Sequence, residues 1–494
     1  MMKRTDSNNR PMTMRSSKLT ILTALVTGLG AGACDFLDPT GVNNPTVTEE
    51  TFLGTPNAAA SWTRGVERQL AATINQVIIG TEVVSDNVFN NRTLYSKVFD
   101  IPRIDNSDFD VLNIQESIHR LRQMADQGLT VVVPADEAAT DQTRAQLHFY
   151  RGFGHLLSAE LFVALPGEPE GAPLDPATHF DLAVQDFEQA RTLSSDADFD
   201  AAALLAIARA EYGAGDRTAA VAAAQQVKSA TPSLLRMVEY DNVDGPGNSM
   251  QNAIYDSGQD EFQPLPRLDF LFPKYYSETA ADESPIALLK GEEAFLILAE
   301  AALATGDVAG ARQELKELID IVEARPTAMI DDRGQQRGRQ GGTWIFPDDA
   351  AVQVAASPTA TPRSGLVLTR SGDRVEIPIV SGTSVSDQML DDADTHDEML
   401  YLLYLMRQEI FVVEGRRMTD LGIRLPTALD EALTNPNVDE GMAALTARIP
   451  SFIPLNYGLD SFTYEDGDLL AVIANDMNAV LVANQSSPAV LPFH

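Results

Sequence analysis

The sequence predicts a mostly α-helical fold in which helical hairpins form the body, with long irregular loops and little β-structure. Three observations predict it. Apolar residues recur at helical spacing in several long segments. Gly-Asp pairs separate two pairs of these segments, and two stretches at about 240–285 and 326–391 are rich in Gly, Pro, Asp, Ser and Thr. With 494 residues, of which 44% are hydrophobic, the chain can bury a sizeable core.

The first 33 residues have the pattern of a secretion signal. Basic residues precede an apolar run over 19–29, and small residues then lead to Cys34, the single cysteine of the chain. This order predicts a lipoprotein signal peptide over residues 1–33 and a lipid on Cys34. A plain signal peptide cut nearby and an N-terminal membrane anchor are the alternatives. Asp35, directly after the cysteine, leaves open whether the inner or the outer membrane receives the protein.

The net charge excludes some classes of partner. The formal charge is −35, and this field repels phosphate backbones, so we expect no nucleic-acid binding. Neutral ligands such as sugars are unaffected by it. A single cysteine excludes an intramolecular disulfide and a multi-thiolate metal site.

The predicted elements begin after a Pro-, Asn-, Thr- and Gly-rich stretch at 34–56, which reads as an extended tether. The main domain is predicted over 57–494. Its first helices are expected at about 57–79, 111–128 and 144–165.

Helical hairpins are predicted over about 144–230 and 288–323. Gly215-Asp216 and Gly306-Asp307 each lie between two helical segments. Gly can close a helix in the left-handed conformation, and Asp can accept amide hydrogen bonds at the start of the next helix. Together with Ala-rich faces, this pattern is typical of tetratricopeptide-type hairpins, although a chance pair of hairpins would look alike.

The stretches 240–285 and 326–391 are predicted insertions, and long ordered insertions usually carry function. Within the second one, alternation over 364–380 suggests a short hairpin around residues 371–373. The chain is expected to become helical again over about 394–421.

Several segments, in this order, resemble the SusD/RagB family. The strongest match is Arg407–Leu421, which follows the family signature Arg-x-Glu-hydrophobic-x-x-Glu-Gly-x-Arg-x-x-Asp-Leu almost position for position. The supporting matches are Asp35–Pro39 directly after Cys34, Glu82–Asn87, Arg144–Phe153, Glu293–Ala301 and Ile453–Asn456. The resemblance covers nearly the whole chain after Cys34, but the usual Asn-rich tail is missing.

This resemblance implies a SusD-like α/α superhelix in a lipid-anchored, surface-exposed protein of the outer membrane. Its repeat helices would pack against a SusC-like TonB-dependent transporter, and its loops would capture an oligosaccharide or a peptide. The resemblance implies no cofactor and no catalytic residue.

The residue patterns predict no enzyme. No nucleophile elbow, phosphate-binding glycine loop or metal-ligand spacing occurs, and His148 and His155 read as packing or surface residues. The carboxylates of Glu409 and Glu414 are expected to form ion pairs with the arginines at 407, 416 and 417 that fix helix packing. Glycosidase chemistry needs a carboxylate pair at a set separation, and no motif frames one.

Ligand-binding candidates are aromatic and polar residues of the irregular segments, because sugars stack on aromatic rings and bind amides and guanidiniums. They are Phe89, Asn91, Arg92, Tyr95, Tyr275, Tyr276 and Trp344. Trp62 reads as a core residue. Because the chain has only two tryptophans, peptide capture is an alternative to glycan capture. A lipid-anchored tetratricopeptide scaffold of the envelope is a second alternative, and interrupted repeats argue against it.

Overall fold

A computed structural model gives the fold. It describes residues 49–90, 99–256, 262–277, 281–331, 346–370, 374–455, 458–465, 467–490 and 493. The chain divides into two units, residues 1–55 and 56–494. The first unit contributes the short helix α1 (Glu49–Leu53) near the end of the predicted tether. Residues 34–48 of the predicted tether, Cys34 among them, lie outside the described residues.

Helices form most of the second unit, which confirms the predicted fold class. In chain order they are α2 (Ala58–Val84), α3 (Phe109–Gln127), α4 (Val133–Ala135), α5 (Asp141–Leu161), α6 (Pro176–Leu193), α7 (Ala197–Ala214), α8 (Arg217–Ala230), α9 (Ser249–Gln251), α10 (Glu292–Leu303), α11 (Val308–Glu323), α12 (Asp387–Asp392), α13 (His396–Ile410), α14 (Arg417–Asp420), α15 (Leu429–Thr434) and α16 (Met477–Ala483). Among the helices that the structure describes, none is long and apolar enough to span a bilayer.

Within the described ranges, short strands form five small sheets. They are β1 (Val88–Asn90), β2 (Leu165–Pro166), β3 (Pro173–Leu174), β4 (Leu235–Val238), β5 (Phe262–Pro264), β6 (Ile286–Lys290), β7 (Thr327–Asp331), β8 (Gln353–Ala355), β9 (Arg374–Pro378), β10 (Phe462–Thr463) and β11 (Leu470–Ile473). Antiparallel pairs join β1 to β5, β2 to β3, β4 to β6 and β7 to β9. In the three-stranded sheet, β11 pairs antiparallel with β10 and parallel with β8.

Both Gly-Asp turns have the predicted geometry. Gly215 and Gly306 adopt φ values of 82° and 79°, the left-handed conformation that closes a helix. The carboxylate of Asp216 accepts from the amide of Ala219 at 2.9 Å, and Asp307 caps α11 in the same way. Each turn therefore ends one helix and starts the next over two residues.

The helical hairpins form one continuous array in space. Neighbouring helices pack in the order α5, α6, α7, α8, α10 and α11, and α13 packs on α10. Helix α8 is followed by β4, and β6 leads directly into α10. Because β4 and β6 are paired, the insertion at 240–285 leaves and re-enters the array at one point. The pair β7 and β9 closes most of the second insertion in the same manner.

Two sequence predictions need correction here. Helix α6 completes the first hairpin with α5, yet no separate helix was predicted for it. The prediction of a short hairpin around residues 371–373 is wrong, because β9 pairs with β7 and not with the segment just before it.

The core of the first hairpins is aromatic, with the ring centroids of Phe149 and Phe187 5.6 Å apart and those of Phe149 and Phe199 5.2 Å apart.

Candidate ligand-binding site

The turn between α13 and α14 lies within the signature segment Arg407–Leu421, and we call it the signature turn. Buried ion pairs hold it. The Nε of Arg407 donates to Asp420 at 2.8 Å. The ammonium groups of Lys274 and Lys290 donate to the same oxygen of Glu414 at 2.6 and 2.7 Å. All five side chains are almost inaccessible to solvent. Buried ion pairs at Arg407 and Glu414 are confirmed, but the predicted partners are wrong. Arg407 pairs with Asp420 and Glu414 with two lysines, whereas Glu409 accepts from Thr383 and Ser384.

Asp86 connects this turn to the segment after α2. Its carboxylate accepts from Arg417 Nε at 2.6 Å and from Arg417 Nη2 at 3.0 Å. Gln408 donates to it at 2.9 Å and Arg267 at 3.3 Å. Burial by itself would raise the pKa of Asp86, but Arg417 and Arg267 outweigh burial and hold that pKa below its usual value. Asp86 is therefore a buried, ionised carboxylate that links the segment after α2 to α13 and α14.

Glu82 ties the end of α2 to the same turn. Its carboxylate accepts at 2.8 Å from the side chain of Asn87 and at 2.8 Å from the backbone amide of Gly415. Burial raises the pKa of Glu82 to about 7. Gly415 has a φ of 75°, which a side chain would strain. The Glu82–Asn87 segment thus lies buried under the signature turn and fixes the base of β1.

An aromatic cluster lies at the far end of β1. Phe89, in β1, contacts Phe346 with ring centroids 5.8 Å apart, and Phe346 contacts Phe462 at 5.3 Å. Tyr464 packs half-buried against these three rings. We call Phe89, Phe346, Phe462 and Tyr464 the aromatic cluster.

A groove adjoins the aromatic cluster. Tyr464 lines it together with residues of β8, β10 and β11, and its volume is about 610 Å³. Leu469, also in its wall, is 64% exposed. Gln353 and Glu465 add an amide and a carboxylate to the wall. The groove therefore offers an aromatic ring, apolar surface and hydrogen-bonding groups together, which is the mixture that a polar organic ligand requires.

The sequence-predicted ligand residues fall into two sets. Phe89 belongs to the aromatic cluster, whereas four others lie outside the described residues: Asn91, Arg92, Tyr95 and Trp344. The described residues nearest to them along the chain are Asn90 and Phe346. Since Phe89 contacts Phe346, the ends of the two candidate segments meet at one place, although more than 200 residues separate them in sequence.

Tyr275 and Tyr276 lie elsewhere, at the end of a 3₁₀ segment over Pro266–Tyr275. The Tyr275 hydroxyl donates to the carbonyl of Val413 at 3.2 Å, and burial raises its pKa well above the usual value. The ring is buried, so it contacts the signature turn and not an open surface. Tyr276 is half-buried beside it.

Sequence reasoning did not single out Phe346, Phe462 or Tyr464. Phe462 lies in the two-residue strand β10 and the other two lie in loops, and only the three-dimensional pairing of distant segments brings them to Phe89. Across the described part of the chain, no group of three or more His, Cys, Asp or Glu side chains is arranged to hold a metal ion.

Comparison with known proteins identifies the fold. No family model and no curated protein matches the chain. A SusD-like protein from Bacteroides fragilis matches with 12% identity and a TM-score of 0.50 over 76% of this chain and 87% of that one. A SusD superfamily protein from Parabacteroides distasonis matches with 11% identity and a TM-score of 0.50 over 78% and 98%. A SusD-like carbohydrate binding protein from Bacteroides vulgatus matches with 13% identity and a TM-score of 0.48 over 74% and 82%. The chain therefore has the SusD-like fold.

Proposed function

We propose that the protein is a cell-surface lipoprotein that binds an oligosaccharide and delivers it to a partner TonB-dependent transporter. The observation that carries the proposal is the contact between Phe89 and Phe346 on a SusD-like fold. It brings Phe89, a predicted ligand residue, next to Phe346, which follows the candidate Trp344 by two positions, and a groove lined by Tyr464 adjoins them.

The chemistry of this face suits binding without catalysis. Aromatic rings stack against the apolar faces of sugars, and amide and carboxylate groups bind their hydroxyls. The carboxylates of the signature turn are engaged elsewhere: Glu414 binds two lysines, and Glu409 accepts from Thr383 and from the amide of Ser384 at 2.7 Å each. We therefore propose a binding protein and no hydrolase.

Glycan binding is tested with Tyr464→Ala, and Phe109→Ala serves as the control. Phe109 is 71% exposed at the start of α3, so its removal changes a surface aromatic residue away from the groove. Calorimetric titration with soluble plant and microbial oligosaccharides should show an affinity about tenfold weaker for Tyr464→Ala, which is about 1.4 kcal/mol. Equal affinities of the two variants would reject the site, and binding of peptides in place of glycans would favour peptide capture.

The anchor and the partner are tested in the native membrane. We expect the wild type, but not Cys34→Ser, to incorporate a labelled fatty acid and to sediment with the outer membrane. A TonB-dependent barrel should co-purify with the wild-type protein after detergent solubilisation. Release of an unacylated soluble protein would contradict the anchor.

A scaffold of the cell envelope is the second candidate, because the hairpins are interrupted in sequence but not in space. The packing of α8 against α10 gives a continuous helical array, as a protein-binding scaffold requires. A scaffold would co-purify with envelope proteins other than a barrel and would bind no glycan.

A further inference from the structure

A second cavity lies between α3, α5 and α6, formed by elements other than those of the groove at Tyr464. Its volume is about 1340 Å³, above the range of roughly 300–1,000 Å³ that is common for small-molecule sites. The segment around the β2–β3 pair closes one side of it. We call it the α3–α5–α6 cleft. Its size suits several linked sugar rings better than a single small metabolite.

Arg122 in α3 places a positive charge in the wall of this cleft. The side chain is only 5% exposed, and its Nη2 donates to the carbonyl of Pro166 at 2.5 Å. Within the residues that the structure describes, neither Nε nor Nη1 of Arg122 has a hydrogen-bond partner. Burial lowers the pKa of Arg122 to about 10, with Glu431 acting in the opposite direction, so the guanidinium stays charged at neutral pH. A buried cation with unused donors calls for an anionic acceptor.

Helix α5 is shaped to accept this arginine. A Cβ at Gly154 would lie 2.3 Å from Cγ of Arg122, so a side chain at this position would force the arginine to move. Only glycine lets the arginine stem cross α5 at this distance. Two elements, α3 and α5, therefore fix the guanidinium at the cleft.

Arg151, Asp126 and Asp186 compensate one another in the cleft wall, whereas Glu168 and Glu188 add two further carboxylates to its lining. Arg151 donates to Asp186 at 2.8 and 2.9 Å and to Asp126 at 2.7 Å. His148 lies 2.8 Å from Asp186. These residues form a closed network, so Arg151 does not need a ligand carboxylate and the two aspartates do not need a ligand cation. Among the described residues of this wall, Arg122 is the cation whose donors lack partners, and the buried Nε2 of His119 also lacks a hydrogen-bond partner.

Two histidines beside it are neutral. The Nε2 of His179 lies 2.8 Å from the carbonyl of Leu165 and must donate, so its Nδ1 accepts from His155 Nδ1 at 3.0 Å. Burial, and then the charge of Arg122, lowers the pKa of His179 to about 4 and also lowers that of His155. His155 therefore presents an uncharged ring to the cleft.

Uncharged groups line much of the remaining wall. Trp62 is half-buried in the wall, and its indole Nε1 donates to the carbonyl of Met124 at 2.7 Å, which fixes the ring plane. Glutamine amides lie along the rim at positions 123, 127, 185 and 189. An indole ring and several amides match the apolar faces and hydroxyls of a saccharide.

We propose that the α3–α5–α6 cleft binds an acidic saccharide, whose carboxylate accepts hydrogen bonds from Arg122 while a sugar ring lies against Trp62. This adds a second site to the proposed solute-binding function, and it rests on that function only for the choice of a saccharide. Carboxylate binding at Arg122 rests on the geometry of the cleft.

The test uses the fluorescence of Trp62. The chain has two tryptophans, so Trp344→Phe leaves Trp62 as the single reporter. In this background, trigalacturonate should change the emission on titration, whereas its methyl ester, which lacks the charge, should bind at least tenfold more weakly. Arg122→Gln should lose the same factor. Arg120→Gln, an exposed arginine two residues away on α3, should titrate like the parent.

The comparison of acid and ester needs no variant at Arg122, so it decides even if Arg122→Gln does not fold. Equal affinity for acid and ester, an unchanged affinity in folded Arg122→Gln, absence of any titration, or tripeptide binding in place of trigalacturonate would each overturn the proposal. Failure of neutral glycans to bind at Tyr464, with trigalacturonate still bound at Arg122, would instead reject only the function proposed above.

Discussion

Replacing Asp86 by Asn should strongly destabilise the fold. The carboxylate is fully buried and accepts four hydrogen bonds, from two nitrogens of Arg417, from Gln408 and from Arg267. An amide of the same shape loses the charge and turns an N–H toward these donors. Arg417 would keep only neutral amide oxygens as partners, that of the new side chain and that of Asn478 at 2.8 Å. Removing one member of a buried ion pair typically costs about 3–5 kcal/mol, and we expect a loss in this range.

Asp141→Asn is the matched control. Asp141 forms a 2.8 Å ion pair with Arg144, but its side chain is 71% exposed, and such pairs contribute about 0.2–1 kcal/mol. Urea unfolding followed by circular dichroism gives the free energies of unfolding, and hydrogen exchange at Val88–Asn90 reports on β1, which follows Asp86 directly. If the two variants differ by less than about 1 kcal/mol, or if β1 keeps its protection in Asp86→Asn, the account of Asp86 as a structural centre is refuted.

Two further predictions concern stability. Burial raises the pKa of Glu300 to about 7 from 4.5, so the folded state holds a proton that the unfolded chain releases, and stability falls as pH rises through this window. Relative to Glu300→Gln, the wild type should lose about 3 kcal/mol between pH 4.5 and 8 in urea unfolding; parallel curves would contradict this. Gly422→Ala should lower the melting temperature far more than Gly441→Ala. Both have positive φ, but only at Gly422 would a Cβ meet a backbone oxygen, that of Ala489, at 2.0 Å; equal shifts would count against the packing argument.

The helical body could be predicted from sequence because its signals are local. Gly215-Asp216 and Gly306-Asp307 encode both the end of one helix and the cap of the next, and the structure shows these caps. The signature segment was also readable, since its charges are too many for a buried turn unless they pair. Helix α6 was missed as a separate element, although its cap, Asp175, accepts from Thr178 at 2.8 Å as a standard start signal.

The binding face could be predicted only in part, because it is built from contacts between distant segments. Phe89, Tyr95 and Trp344 were recognisable as candidates, but the contact between Phe89 and Phe346 was not. Likewise, nothing local marks Arg122 as buried and partly unpaired. Its state depends on Gly154 of another helix and on Pro166 of a third segment. Trp62, read from sequence as core, lines a cleft.

The closure of the insertions by paired strands explains how a helical array and variable loops coexist in one chain. Because β4 pairs with β6, the ends of the first insertion are held together, and α8 meets α10 as if the chain ran on directly. The entropy cost of a longer loop then grows only by about 0.6 kcal/mol for each doubling of its length. Exposed residues of the insertion can therefore change with little effect on helix packing, whereas its buried Arg267 and Lys274 are tied to Asp86 and Glu414. Under the proposed function, these buried groups fix the array and the exposed parts of the loops determine which solute is bound.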